Sequence, residues 1–103
     1  RRVLFRSMPS FPGGQVALMR FLSSNMKYPK EEQESGTQGR VVVQFVVGRD
    51  GSICDAKVTR SVSPALDQEA LRIVSVMPRW KPGMKGGKAV RVQYTMPLMF
   101  RLQ

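Results

Sequence analysis

The sequence predicts a small α+β sandwich: a three-stranded antiparallel sheet in the order 2-1-3, with helices packed on one face. Three observations carry that prediction. In the run Lys88–Gln103, KAVRVQYTMPLMFRLQ, the even positions Val90, Val92, Tyr94, Met96, Leu98, Phe100 and Leu102 are all apolar. This period-two pattern marks a strand with one buried face. In Gly39–Gly48, Val41, Val43, Phe45 and Val47 form one face, and Val42 and Val46 make the other partly apolar. A strand apolar on both sides belongs in the middle of a sheet. Between the two runs, Leu66, Ala70, Ile73, Val74 and Met77 follow helical spacing. A helix there crosses one face of the sheet and returns the last strand to the open side of the central one.

The chain has 103 residues, enough for one domain with one modest core. Hydrophobic residues make up 42%, a globular value, and no apolar run approaches the roughly 18 residues of a membrane span. Net charge is +10, from 17 Lys+Arg against 7 Asp+Glu. That balance raises the question of a nucleic-acid partner. The basic residues are dispersed, however, from Arg40, Arg49 and Lys57 through Lys81, Lys85 and Lys88 to Arg101. The aromatics Phe45, Tyr94 and Phe100 fall on inferred core faces, so they make no exposed stacking platform. With one cysteine and no histidine, the chain has no internal disulfide, no His-based catalysis and no His or multi-Cys zinc site. No carboxylates converge by spacing. The expectation is a protein that is not an enzyme and holds no cofactor or metal.

The elements follow in order. Residues 1–7, RRVLFRS, have no cap, period or turn logic, and are set aside as a non-native or disordered leader to a domain spanning 8–103. Met8–Gly14, MPSFPGG, is turn chemistry leading into a helix over Gln15–Met26. Its stripe is Leu18, Met19, Phe21, Leu22 and Met26. Asn25 and the Tyr28-Pro29 pair end it, because a residue before proline avoids the α region. Pro29–Gly36 reads as a short second helix: proline in the first turn, Glu31 and Glu32 at the N-terminal dipole, and Gly36 after the last turn.

Asp50-Gly51 is a two-residue hairpin signal. Pairing Arg49 with Ser52 sets Val47 opposite Cys54, Phe45 opposite Ala56 and Val43 opposite Val58. Opposed residues share a face, so Cys54, Ala56 and Val58 are expected on the core side, with Cys54 buried and inert. Ser61–Pro64 breaks the chain, Asp67 and Glu69 suit the start of the next helix, and Pro78 ends it. Arg79–Gly87, RWKPGMKGG, is a loop that Trp80 anchors over the core edge. It lacks the GxxxxGK[ST] spacing of a phosphate loop and leads into a strand.

At about 3.3 Å per residue the final strand reaches roughly 50 Å. Pro97 lies on its outward set and has no N–H for a ladder, so the strand sits at an edge, or leaves the sheet there. Such an edge is either blunted, here by Arg91, Pro97 and Arg101, or used for β-augmentation, in which an extended peptide adds itself as the next strand.

The pieces MPSFPGG (8–14), YP (28–29), GRVVVQFVVGRDGSI (39–53), LDQEALRIV (66–74), MPRWKPG (77–83) and GKAVRVQYTMPLMF (87–100) resemble, in order and spacing, the C-terminal domain of TonB in the form common among Bacteroidetes energy transducers. The resemblance covers nearly everything from Met8 onward. It implies a periplasmic domain of an inner-membrane-anchored protein, whose anchor and proline-rich spacer are not in this chain. It further implies capture of the TonB box of outer-membrane TonB-dependent transporters by strand addition. The final strand then serves as the site, over Val90, Arg91, Val92, Gln93, Tyr94, Thr95, Met96 and Pro97. The segment before the Tyr-Pro pair, Asn25, Met26, Lys27 and Tyr28, is implied to touch the transporter's plug and box. Force comes from an ExbB–ExbD motor reached through the missing N-terminal part. Two alternatives stand beside this: the same kind of domain appended to another membrane protein such as a peptidase-type signal receptor, and a basic nucleic-acid-binding module. The pairing direction and a homodimer formed by strand exchange are left open.

Overall fold

Val41, Val43, Phe45 and Val47 are fully buried, and the other elements are laid around the strand that carries them. The computed structural model describes residues 6–102. Its elements are β1 (Arg6–Ser7), α1 (Gly14–Asn25), α2 (Lys30–Ser35), β2 (Gly39–Val47), β3 (Ile53–Arg60), α3 (Pro64–Ser75), β4 (Gly83–Lys85), β5 (Lys88–Val90) and β6 (Val92–Phe100). The main sheet is antiparallel in the order β3-β2-β6, the 2-1-3 arrangement expected from the sequence. Its inner face joins the β2 quartet to Met96, Leu98 and Phe100 of β6. Leu66, Ala70 and Val74 of α3 and Leu18 of α1 close the core from one side, and Phe11 and Trp80 seal its end.

The helices obey their local signals. At α3, Ser63 is extended and its hydroxyl accepts the Leu66 N–H at 3.2 Å, Pro64 opens the first turn, and Asp67 sits near the positive end. α2 stops at Gly36, which takes the left-handed conformation (φ 74°) that a side chain resists. In α1 the expected stripe is split. Leu18 is buried and Phe21, Leu22 and Met26 pack against the core, but Met19 is 58% exposed.

The hairpin turn corrects the expected register. The Gly48 N–H donates to the Ser52 carbonyl and the Gly51 N–H to the Gly48 carbonyl, both at 2.9 Å. Gly51 has φ 85°. The loop is therefore three residues long, a β-turn followed by a left-handed glycine, rather than a two-residue turn. Val46 consequently faces Cys54, and Val47 faces Ile53. A bulge at Asp55, at φ 54°, takes up the extra residue, so Gln44 meets Lys57 and Val43 meets Val58 as expected. Between turn and bulge every β3 side chain is on the face opposite to the expected one. Cys54 and Ala56 are exposed, and Ile53 packs against the core instead.

The C-terminal run is also not one strand. Val90 pairs with Gly83, whereas Val92 pairs with Val47, and Arg91 lies between. β4 and β5 form a hairpin about Gly86-Gly87, and β1 adds to it as Arg6↔Lys85 and Ser7↔Met84. The loop expected at Arg79–Gly87 thus contains a strand of a second small sheet, and two residues of the segment set aside join that sheet. Residues 1–5 lie outside the described residues, as does Gln103. The alternation across Arg91 hides the break, because period two continues on both sides of it.

Candidate functional site

β6 is paired with β2 on one side, without a shift, from Gly39↔Phe100 to Val47↔Val92. Among the described residues no strand pairs with its other side. The direction of its backbone groups follows from a neighbour. The Thr59 hydroxyl donates to the Val42 carbonyl at 3.3 Å, so Val42 turns its backbone toward β3. Its partner on β6 is Pro97. An antiparallel pair that does not exchange hydrogen bonds points both residues away from each other, so Pro97 faces the open edge, where its missing N–H breaks no ladder. By period two, Gln93, Thr95 and Met99 also turn their N–H and C=O groups to that edge. The strand stays in the sheet through Pro97 and ends at Phe100.

The other edge strand, β3, is different. Register shifts interrupt it at Asp55 and again near Thr59, and Lys57 and Arg60 stand exposed along it. Bulges and charges of this kind blunt an edge.

Beside the open edge runs an apolar groove. Met19, Leu22 and Met26 wall it from the α1 side, and Pro97, Leu98 and Met99 from β6, enclosing about 230 Å³. It continues into a wider hollow of about 710 Å³ lined by Ser23, Met26, Tyr28, Met99 and Arg101. The structure thus brings Met26 and Tyr28 to the Pro97 end of β6. Val90 is in the small sheet, and Arg91 reaches over the outer face to Asp55 at 3.9 Å, a long and exposed ion pair worth little. Val92, Tyr94 and Met96 turn inward, Tyr94 lying 5.7 Å from Phe45 and 5.0 Å from Trp80 between ring centroids. Of the expected strand residues, Gln93, Thr95 and Pro97 present both side chain and backbone outward.

The segment before Pro29 is pinned at several points. The Tyr28 hydroxyl donates to the Thr37 carbonyl, and its ring meets Phe100 edge-on at 5.8 Å. The Asn25 side chain donates to the Phe21 carbonyl at 2.9 Å. From α3, the Glu69 carboxylate accepts the Lys27 N–H at 2.7 Å, and Arg72 donates to the Asn25 carbonyl at 2.6 Å. Burial alone would push the Glu69 carboxyl up. The hydrogen bond from Arg72, that from the Lys27 N–H, and the two nearby positive charges outweigh it and hold the group below its ordinary value.

Sequence reasoning missed the groove residues Met19, Leu22, Met99 and Arg101 and the pair Glu69–Arg72. The first four were visible as members of the helical stripe or the strand pattern, but which helix lies beside which edge is a tertiary fact. From the sequence, Glu69 announces only a partner for the helix dipole. The aromatic rings of β2 and β6 turn inward, so among the described residues these strands place no aromatic ring on the outer sheet face.

Comparison with known proteins points one way. The family model described as the Gram-negative bacterial TonB protein C-terminal matches residues 24–102. Protein TonB of Pseudomonas aeruginosa is 34% identical over 76 residues, covering 74% of this chain and 22% of that protein. Protein TonB of Haemophilus influenzae is 33% identical over 84 residues, covering 78% of this chain and 31% of that protein. The chain therefore spans less than a third of the length of these relatives. Among solved structures, the solution structure of the Helicobacter pylori TonB C-terminal domain superposes with a TM-score of 0.64 at 28% identity, over 85% of this chain and 79% of that one. That of the Pseudomonas aeruginosa domain gives 0.61 at 36%, over 75% and 78%.

Proposed function

This chain belongs to the family of Gram-negative bacterial TonB C-terminal domains, and from that premise we propose that it is the periplasmic, partner-binding part of an energy-transducing adaptor. Its β6 edge takes the TonB box of an outer-membrane transporter as an added strand. Force generated by an inner-membrane ExbB–ExbD motor, reached through parts of the protein outside this chain, then pulls on the transporter through that strand.

The observation that carries this reading is the unshifted edge of β6, unpaired among the described residues, beside an apolar groove. A peptide paired along Gln93–Met99 gains backbone hydrogen bonds of about 0.5–1.5 kcal/mol each. A few such bonds give a reversible attachment, as a cycling coupler needs. Backbone pairing tolerates many sequences, and the flexible thioethers of Met19, Met26 and Met99 adapt to differently shaped apolar side chains. Arg91 and Arg101 stand at the two ends of the edge and favour acidic partners in a salt-dependent way. Among the described residues no helix is long and apolar enough to cross a membrane.

The test is a nuclear magnetic resonance titration of the isotopically labelled domain with a synthetic TonB-box peptide from a transporter of the same organism. Amide shifts are expected to cluster on residues 92–101 and 25–28. Shifts confined to β3, or none at millimolar peptide, would refute the reading.

A further inference from the structure

We propose that Glu69 and Arg72 of α3 are positioning residues for partner binding, an ion pair of a buried carboxylate and a half-exposed guanidinium that holds the Asn25–Lys27 turn so that Met26 and Lys27 face the incoming partner. The proposal rests on the adaptor reading above. Glu69 is 8% exposed and is the charged side chain found buried among the described residues. Arg72 Nε donates to Glu69 Oε1 at 2.8 Å and Arg72 Nη2 to Oε2 at 2.7 Å, a two-pronged pair. Each partner then spends a remaining bond on the same distant turn. Glu69 Oε2 accepts the Lys27 N–H, and Arg72 Nη2 donates to the Asn25 carbonyl.

Those two backbone groups are where the chain leaves α1. The helix has no basic residue in its own last turn, and its terminal carbonyls carry partial negative charge. Arg72 supplies the missing cation from another helix. The chain then turns extended at Met26 (φ −71°, ψ 126°). With Asn25 and Lys27 gripped through their backbones and Tyr28 bound at Thr37 and Phe100, Lys27 keeps its side chain exposed, and Met26, half-buried against the core, turns part of its side chain to the groove. Met26 lines the groove at the β6 edge. Lys27 is exposed and borders a separate cleft of about 450 Å³ shared with Glu31, Gln68 and Arg72. The turn thus joins two surfaces, and its geometry is set from α3.

An ion pair with one buried member and one half-exposed member is weak evidence for stability, since solvent screens the exposed charge and the buried one costs desolvation. Its better-attested use is to fix one arrangement among several, and here the arrangement fixed is a turn on the partner-facing surface.

Two probes separate positioning from general support: a synthetic TonB-box peptide, whose affinity rests mainly on backbone pairing along β6, and the detergent-solubilised transporter, whose plug adds contacts at the turn. Glu69→Ala and Arg72→Ala are expected to bind the peptide within about twofold of wild type but the transporter about tenfold more weakly. Glu69→Gln, which keeps an acceptor for the Lys27 N–H, is expected to recover part of that loss. Hydrogen exchange should speed up at Lys27 and stay slow at Val43. Alanine variants that bind the transporter as wild type does, or that lose peptide and transporter equally, would overturn the proposal while leaving the adaptor reading intact. Wild type that binds neither probe would overturn both. If an alanine variant does not fold, Glu69→Gln and Arg72→Lys carry the same comparison, and an equal effect on the two probes counts against the pair.

Discussion

The Trp80 backbone N–H donates to the Gly51 carbonyl at 2.8 Å, and a Cβ built on Gly51 would stand 2.0 Å from the Trp80 carbonyl oxygen. The tip of the β2–β3 hairpin is therefore seated directly on the loop that enters the small sheet. The indole beyond it lies among Phe11, Phe45 and Tyr94, with ring centroids 5.9, 5.4 and 5.0 Å away. Two reasons for glycine coincide at this position. Its φ of 85° is left-handed, and no space exists for a side chain.

Gly51→Ala should consequently destabilise the domain by about 2–4 kcal/mol, the left-handed strain plus the cost of lifting Trp80 off the turn. Urea unfolding followed by Trp80 fluorescence measures it. A loss below about 0.5 kcal/mol, the size of an ordinary surface substitution, would mean that turn and loop are not coupled.

Cys54 gives the second prediction and marks a limit of the sequence. The sheet order, the central strand, the inward faces of β2 and β6, the glycine that ends α2 and the helical stripe of α3 were legible, because each rests on a local periodicity or a single stop residue. The pairing of Val43 with Val58 was legible too. Cys54 was not, because its face depends on one residue of turn length, and Gly51 makes a three-residue loop as readily as a two-residue one. The compensating bulge at Asp55 has no glycine to announce it. With Cys54 exposed on the outer face, a thiol reagent should label the native domain at a rate within about tenfold of the unfolded chain, without denaturant. Protection of several orders of magnitude would restore the buried register. At the candidate site, likewise, the edge was readable from Pro97, whereas the grip of α3 on the Lys27 turn joins residues 42 apart in sequence and no local pattern encodes it.

The third prediction is a pH dependence. Glu69 is held below its ordinary value of 4.5 in the folded chain. A carboxyl depressed by folding contributes its full stabilisation above the unfolded value and loses it as the pH falls through the folded value. Wild type should accordingly lose stability as the pH drops below about 4.5, and Glu69→Gln should lack that component. Asp50, whose carboxyl is lowered chiefly by its side-chain hydrogen bond with Ser52, titrates in both proteins and cancels in the comparison. Urea unfolding of the two proteins across the acid range reads the difference directly. The wild-type advantage should shrink as the pH falls, and a difference that stays constant would show that the carboxylate charge does not matter to the turn.

The fourth prediction bears on strand addition itself. Gln93 lies opposite Val46, and its side chain is exposed. Its N–H faces the open edge by the same parity that puts Pro97 there. Proline at this position deletes one donor to an incoming strand while leaving the β2–β6 ladder with all of its own. Gln93→Pro should therefore weaken binding of a TonB-box peptide by roughly the worth of one or more backbone hydrogen bonds, about 0.5–3 kcal/mol, with a smaller loss of folding stability from the fixed φ. Gln93→Ala keeps the donor and should bind nearly as wild type. Calorimetry with the peptide, alongside circular dichroism of each variant, separates the two effects. Pro97 makes the comparison sharper, because the edge already carries one natural gap two pairs further along from Thr95 and is expected to bind from Gln93 and Thr95 most strongly. A folded Gln93→Pro domain that holds the peptide as tightly as wild type would mean that the partner is not paired along this part of β6.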